Sequence, residues 1–246
     1  MMTENIKAVV EYGVELSQKQ QVTYEIDGKI YFDKERANLT ELEPIKRAAA
    51  LSVSTLSGLV GYIKRKFDHE ENQELLINVE EAAYIKVYSQ LDADRKRESL
   101  IDSKAVLDRF PYGQFIDSEQ FIIKIQSLFQ RTDNADRIIK LASSIQINEG
   151  SDLTDNGISQ QVTVRQGVDV RKEEVPNPIE LKPFRTFLEV DQPESAFVFR
   201  LDKQGRCALF EADGGIWKNE AMYNIREYLE EELAEEIANG YVTVIA

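Results

Sequence analysis

Carboxylates are the only abundant catalytic side chains in this sequence. Glu180-Leu181-Lys182, with Asp169 upstream, reproduces the acid plus acid-x-lysine spacing with which some nucleases hold a divalent metal and position a hydroxide. The same triplet recurs at Asp27/Lys29, Asp94/Lys96 and Asp102/Lys104, so in a chain that is 30% charged the spacing selects nothing by itself. A single histidine, His69 in "FDHEEN", removes the two-histidine zinc and iron motifs, and a single cysteine, Cys207, removes paired-cysteine zinc sites and internal disulfides. "DLTDNG" supplies Asp152, Asn156 and Gly157 of a calcium loop, yet Thr163 stands where a bidentate glutamate is required. Neither a Walker loop nor a dinucleotide glycine motif is present. The pair Gly214-Gly215 in "FEADGGIWKNEA" precedes a helical pattern, but Glu211 and Asp213 already place negative charge there and would repel a phosphate. That stretch reads as a turn, with Trp217 packing on a sheet and Asn219 capping the helix. No catalytic residue, metal ligand or cofactor follows from these residues.

Bulk properties narrow the class further. Apolar residues make up 42% of the 246 and the formal charge is −14, a composition for a folded acidic protein with little attraction to a phosphate backbone. Direct nucleic-acid binding is not expected. The basic runs Lys64 to Lys66 and Arg95 to Arg97 read as solvated helix-end or loop charges, and Cys207 in "GRCALF" as a buried small hydrophobe. The opening "MMTENIKAVVEYGVELSQ" reads as an amphipathic helix and not a signal peptide, and no apolar run spans a bilayer, so a cytoplasmic, non-membrane protein is expected.

The elements that must position any site follow from periodicity. Asp27-Gly28 between alternating runs predicts a hairpin, which with the first helix makes a unit of residues 1–45 ahead of a body of 46–246 with a break near 148–178. Leu56, Leu59, Val60 and Ile63 predict a helix. Alternation over Tyr84 to Ser89 predicts antiparallel strands. Asp117 or Ser118 and Asp133 or Asn134 then start two helices of an αα-hairpin, the first burying Phe121, Ile122, Ile125, Leu128 and Phe129, the second Ile138, Leu141 and Ile145. "SQQVTVRQGVDV" reads as a strand or hairpin. "IELKPFRTFLEV", "SAFVFRL" and "RCALFEA" read as three strands, and a helix from about Glu220 to Ala238, buried along Met222, Ile225, Leu229, Leu233 and Ile237, precedes a last strand "YVTVI". The predicted class is α+β, with a mixed, mainly antiparallel sheet, an αα-hairpin and a C-terminal amphipathic helix.

"PNPIELKPFRTFLEVDQPESAFVFRLDKQGRCALFEADGGIW" resembles the C-terminal signature of the YfdQ-like family, phage- and prophage-encoded proteins carried as a domain of unknown function. "TLSGLVGYIKRKF" and "DNGISQQVTVRQGV" are similar to earlier segments of that family, over roughly residues 50–240. The resemblance implies a phage or prophage gene expressed in a bacterial cytoplasm, with no reaction, cofactor or catalytic residue to carry over. Its matching polar positions are Arg185, Glu189, Asp191, Gln192 and Arg200. Arg185 and Arg200, read as lying on neighbouring strands, are expected to pair with Glu189, Asp191 or Glu194 and fix strand register or a subunit contact. Phe184, Phe187 and Trp217 read as exposed aromatics, with Trp217 a further interface candidate. The expected function is non-enzymatic: self-assembly into a homo-oligomer, or binding of a host protein. The alternatives are a metal-dependent enzyme on nucleic acid using Asp169, Glu180 and Lys182, or an acidic mimic of DNA presenting Glu227, Glu230, Glu231, Glu232, Glu235 and Glu236.

Overall fold

Asp27 and Gly28 both take left-handed backbone, with φ 53° and 78°, and so form the type I′ turn that matches the twist of two antiparallel strands. The computed structural model describes residues 2–18, 23–33, 39–41, 47–66, 68, 73–144, 154–155, 160–166, 169–174 and 177–246. The chain separates into two compact units, residues 1–48 and 49–246. In the first, helix α1 (Met2–Gln18) precedes β1 (Thr23–Ile26), β2 (Lys29–Asp33) and β3 (Leu39–Glu41), an antiparallel sheet in that order. Ile6, Val9, Val10 and Val14 are 63, 70, 58 and 51% exposed on α1, and Tyr24, Ile26 and Ile30 are exposed on the strands. None of the side chains described in this unit is buried.

The second unit runs β4 (Leu51–Val53), α2 (Leu56–Arg65), β5 (Leu75–Glu81), β6 (Tyr84–Ser89), β7 (Ser99–Lys104), α3 (Ser118–Leu128) and α4 (Asp133–Ser144). It continues with β8 (Thr154–Asp155), β9 (Gln160–Gln166), β10 (Asp169–Glu174), β11 (Ile179–Leu181), β12 (Ser195–Leu201) and β13 (Cys207–Glu211), and ends with α5 (Trp217–Glu232), α6 (Ala234–Ala238) and β14 (Val242–Ile245). The class is α+β. Three sheets have the orders β14-β5-β6-β7-β4, β11-β12-β13 and β10-β9-β8, antiparallel except where β14 meets β5 and β4 meets β7. No helix among the described residues is long and apolar enough to cross a membrane.

Two cores hold this unit. In the first, the apolar stripe of α2 (Leu56, Leu59, Ile63) and that of α5 (Ile225, Leu229) cover Ile77, Ile85, Val87 and Ile101 of the five-stranded sheet. Period explains it: residues at i, i+3, i+4 and i+7 share one helix face, and alternate strand residues share one sheet face. In the second, α3 and α4 form the expected αα-hairpin over the three-stranded sheet, burying Phe121, Ile125, Ile138 and Leu141 against Phe197, Phe199 and Leu209. Phe110 meets Phe121 and Phe129 edge-on, at 5.9 and 5.3 Å between ring centres, the arrangement that ring quadrupoles favour. Asp117 caps α3 by accepting from the Gln120 N–H at 2.9 Å. Thr132, one residue earlier than expected, caps α4 by accepting from Ala135 at 3.2 Å. The expected burial of Ile145 concerns a residue outside those described.

Two expectations change. The strand read into "IELKPFRTFLEV" ends at Leu181, because Pro183 offers no N–H to a ladder and the chain turns at residues 188–190. The C-terminal helix begins at Trp217 and breaks at Leu233 (φ −109°, ψ 23°), which keeps Leu233 fully buried while α6 packs near β14.

Candidate functional site

The segment from Lys182 to Glu194 is a loop that ties the two cores together. Leu181 enters the second core just before it and Phe187 enters the first within it. Phe187 is 1% exposed, which corrects its reading as a surface aromatic. A loop crossing between cores buries backbone groups that no strand pairs, and Gln192 supplies the partners. Its buried Oε1 accepts from the Arg185 and Thr186 N–H groups at 3.0 and 3.3 Å. Its Nε2 donates to the carbonyls of Phe187 and Val190 at 2.9 and 3.2 Å. The Thr186 hydroxyl donates to the Ala82 carbonyl, fastening the loop to the β5–β6 turn.

The other residues singled out also bond within the fold, Glu189 through its exposed side chain and Asp191 through its carbonyl. Glu189 Oε1 accepts from the N–H groups of Leu56 and Ser57 at 2.9 and 3.3 Å, so it sits on the N-terminus of α2, where unpaired N–H groups and the helix dipole favour a carboxylate. Thr55 occupies the neighbouring N–H of Gly58 at 3.1 Å. Glu189→Ala is expected to lower stability by about 1 kcal/mol, read as a shifted urea midpoint, and Glu189→Gln by less. The Asp191 carbonyl accepts from Asn224 Nδ2 on α5 at 2.9 Å. Arg200, on β12, donates to its neighbour's carbonyl, Phe199, at 3.2 Å.

Arg185 lies at the centre. Its side chain is 9% exposed, and Nη1 donates to Glu211 Oε1 at 2.6 Å. Nη2 donates to the Ser195 hydroxyl. The guanidinium lies 4.0 Å from the centre of the Trp217 ring, 5.5 Å from Phe197 and 6.0 Å from Tyr112, and Tyr112 stacks on Phe197 at 5.4 Å. Burial pulls the Arg185 pKa below its ordinary value, opposed by Tyr112, Glu211 and Asp213. Burial also drives the Tyr112 phenol above the usual range, against the pull of Arg185. The expected pairing with Glu189, Asp191 or Glu194 is thus replaced by Glu211 on β13, because Arg185 follows Pro183 in a loop and not on a strand beside Arg200. Trp217 packs over the guanidinium. Nor does Asn219 cap the helix: α5 has no side-chain cap, and Asp213 accepts from Gly215 at 3.0 Å to close the turn. Gly214 and Gly215, at φ 65° and 85°, make that turn in a conformation L side chains resist.

This is a stacked, ion-paired cation, and it holds a corner where β13, α5 and the signature loop meet. Two of its partners, Tyr112 and Ser195, carry no sequence signal, and Glu211 could be read from sequence only as a charge beside the glycines. Of the carboxylate set Asp169, Glu180 and Lys182, Glu180 is exposed on β11 with its carbonyl accepting from Asn134 at 3.0 Å, and the Asp169 side chain lies outside the described residues, as do His69, residues 152–153 and residues 156–157. Among the described residues, no three His, Cys, Asp or Glu side chains gather as a metal set would. In the acidic C-terminal segment, Glu230 pairs with Arg226 at 2.6 Å and Glu232 with Lys64 at 3.3 Å, so two of the six carboxylates read as a mimic of DNA are compensated.

Cys207 is fully buried, its thiol pushed up to about 12 by burial, with Asp202 and Asp117 adding to the rise. A disulfide reagent at pH 8 is expected to leave the native protein unlabelled and to modify the thiol only once a denaturant unfolds the chain. Rapid labelling of the folded protein would contradict this burial.

No protein-family model matches the chain, and no significant match to a curated protein or to a solved structure was found.

Proposed function

We propose that this is a phage- or prophage-encoded protein, of the YfdQ-like kind that its signature resembles, which acts in the bacterial cytoplasm by association and not by catalysis. Self-assembly into a homo-oligomer is the primary mode, with a host protein as the other candidate partner. The observation that carries this reading is the first unit: a helix and a three-stranded sheet whose described side chains are all at least partly exposed, with Ile6, Val9, Val10 and Val14 each more than half accessible. Such a sheet and helix cannot stabilise themselves, since elements of this size need a buried apolar face. The signature residues support the same reading, because Nη1 and Nη2 of Arg185, Oε1 of Glu189 and the amide of Gln192 all bond to the fold.

The test is the mass of the native particle across a dilution series, together with imaging of it. An assembly of several copies is expected. Hydrolysis of nucleic acid that requires added magnesium or manganese and is lost in a folded Glu180→Ala variant would overturn the non-enzymatic reading.

A further inference from the structure

We infer that α1 is the assembly element, and that its exposed face is covered by α1 of other copies of this chain in a bundle of three or four helices. This deepens the association reading above and rests on it. The argument begins with spacing. With Ile6 at heptad position a, Val9 falls at d, Val10 at e, Tyr12 at g, Gly13 at a and Leu16 at d. The described members of that stripe, Ile6, Val9, Val10 and Tyr12, are all more than half exposed. A stripe widened by apolar e and g positions exceeds the seam of a two-stranded coil, and in the first heptad Ile6 at a and Val9 at d are both β-branched, a pairing that favours three or four strands. A Cβ at Gly13 would meet nothing within 4 Å, so this position leaves room for a neighbouring backbone.

Charge selects a second copy over other occupants. The acidic positions of α1, Glu4, Glu11 and Glu15, fall at f, f and c, the places furthest from the seam, and Lys7 falls at b, where it pairs with Glu11 at 3.9 Å. Identical helices therefore meet with no carboxylate at a, d, e or g, and no like-charge repulsion opposes self-pairing. An anionic membrane is a poor alternative, since interfacial helices carry Lys and Arg on the polar face and this one carries mainly glutamate. Two heptads, about 21 Å of helix, suit association that depends on concentration.

The experiment is sedimentation of the full chain over a thousandfold dilution series, comparing wild type with Ile6→Glu, Val10→Glu and the outward-facing Glu11→Gln. Wild type and Glu11→Gln are expected to reach three or four copies at the highest concentration. Ile6→Glu and Val10→Glu are expected to remain single chains, with the unfolding midpoint of the body unchanged. An assembly that survives both seam changes overturns the assignment to α1 and leaves self-association standing on another surface. A wild type that stays a single chain at every concentration overturns both. Retention of wild type, but not Val10→Glu, on vesicles containing phosphatidylglycerol would overturn the inference in favour of lipid.

Discussion

Arg185→Ala is expected to destabilise the body by about 3 kcal/mol, read from the shift in denaturant midpoint, while Arg185→Met costs only about 1 kcal/mol. Removing one partner of a buried ion pair usually costs about 3–5 kcal/mol because the other charge is stranded. Here Glu211 is 44% exposed and recovers water, so the lower end applies. What alanine leaves behind is chiefly a hole lined by Trp217, Phe197 and Tyr112, together with a Ser195 hydroxyl that has lost its donor. Methionine fills most of that volume with polarizable atoms that suit aromatic neighbours. Equal losses for the two variants would mean that charge, and not packing, dominates at this corner. Arg185→Lys keeps the charge but loses the planar fork that reaches Glu211 and Ser195 while stacking on Trp217, and it should fall between the two.

Gln192→Leu is expected to cost about 3 kcal/mol or more, although the substitution nearly preserves volume. It strands the N–H groups of Arg185 and Thr186 and the carbonyl of Val190, and leaves the Phe187 carbonyl only the Val190 N–H at 3.4 Å, in a loop whose Thr186 and Phe187 are buried. An orphaned buried polar group costs about 1–3 kcal/mol, and partial relaxation of a loop recovers some of the sum. Because the loop joins both cores, the loss should appear in the single unfolding transition of the body. A change below about 1 kcal/mol would show that the four backbone groups find other partners.

Much of the fold was legible because its signals are local. Asp27-Gly28 carries its turn chemistry in two residues, the stripe of Leu56, Leu59, Val60 and Ile63 lies within one helix, and the alternation of Tyr84 to Ser89 matches a strand with one buried face. Misreadings arose where one pattern has two physical origins. Apolar residues in "IELKPFRTFLEV" alternate not because a strand buries one face but because a loop delivers Leu181 to one core and Phe187 to the other. The signature positions could be picked out, yet their partners could not: Glu211 lies 26 residues from Arg185, and the α2 N–H groups lie 132 and 133 residues from Glu189. Such pairs leave no periodic trace. The break at Leu233 has no glycine or proline to announce it, since both Leu229 and Leu233 fit a continuous stripe.

What the chain does rests on whether copies of it meet. The most direct measurement is the native mass of the full chain at rising concentration, with the same sample imaged. The account predicts a discrete assembly of three or four copies that dissociates on dilution; a particle of one chain, 28.2 kDa, at every concentration would contradict it.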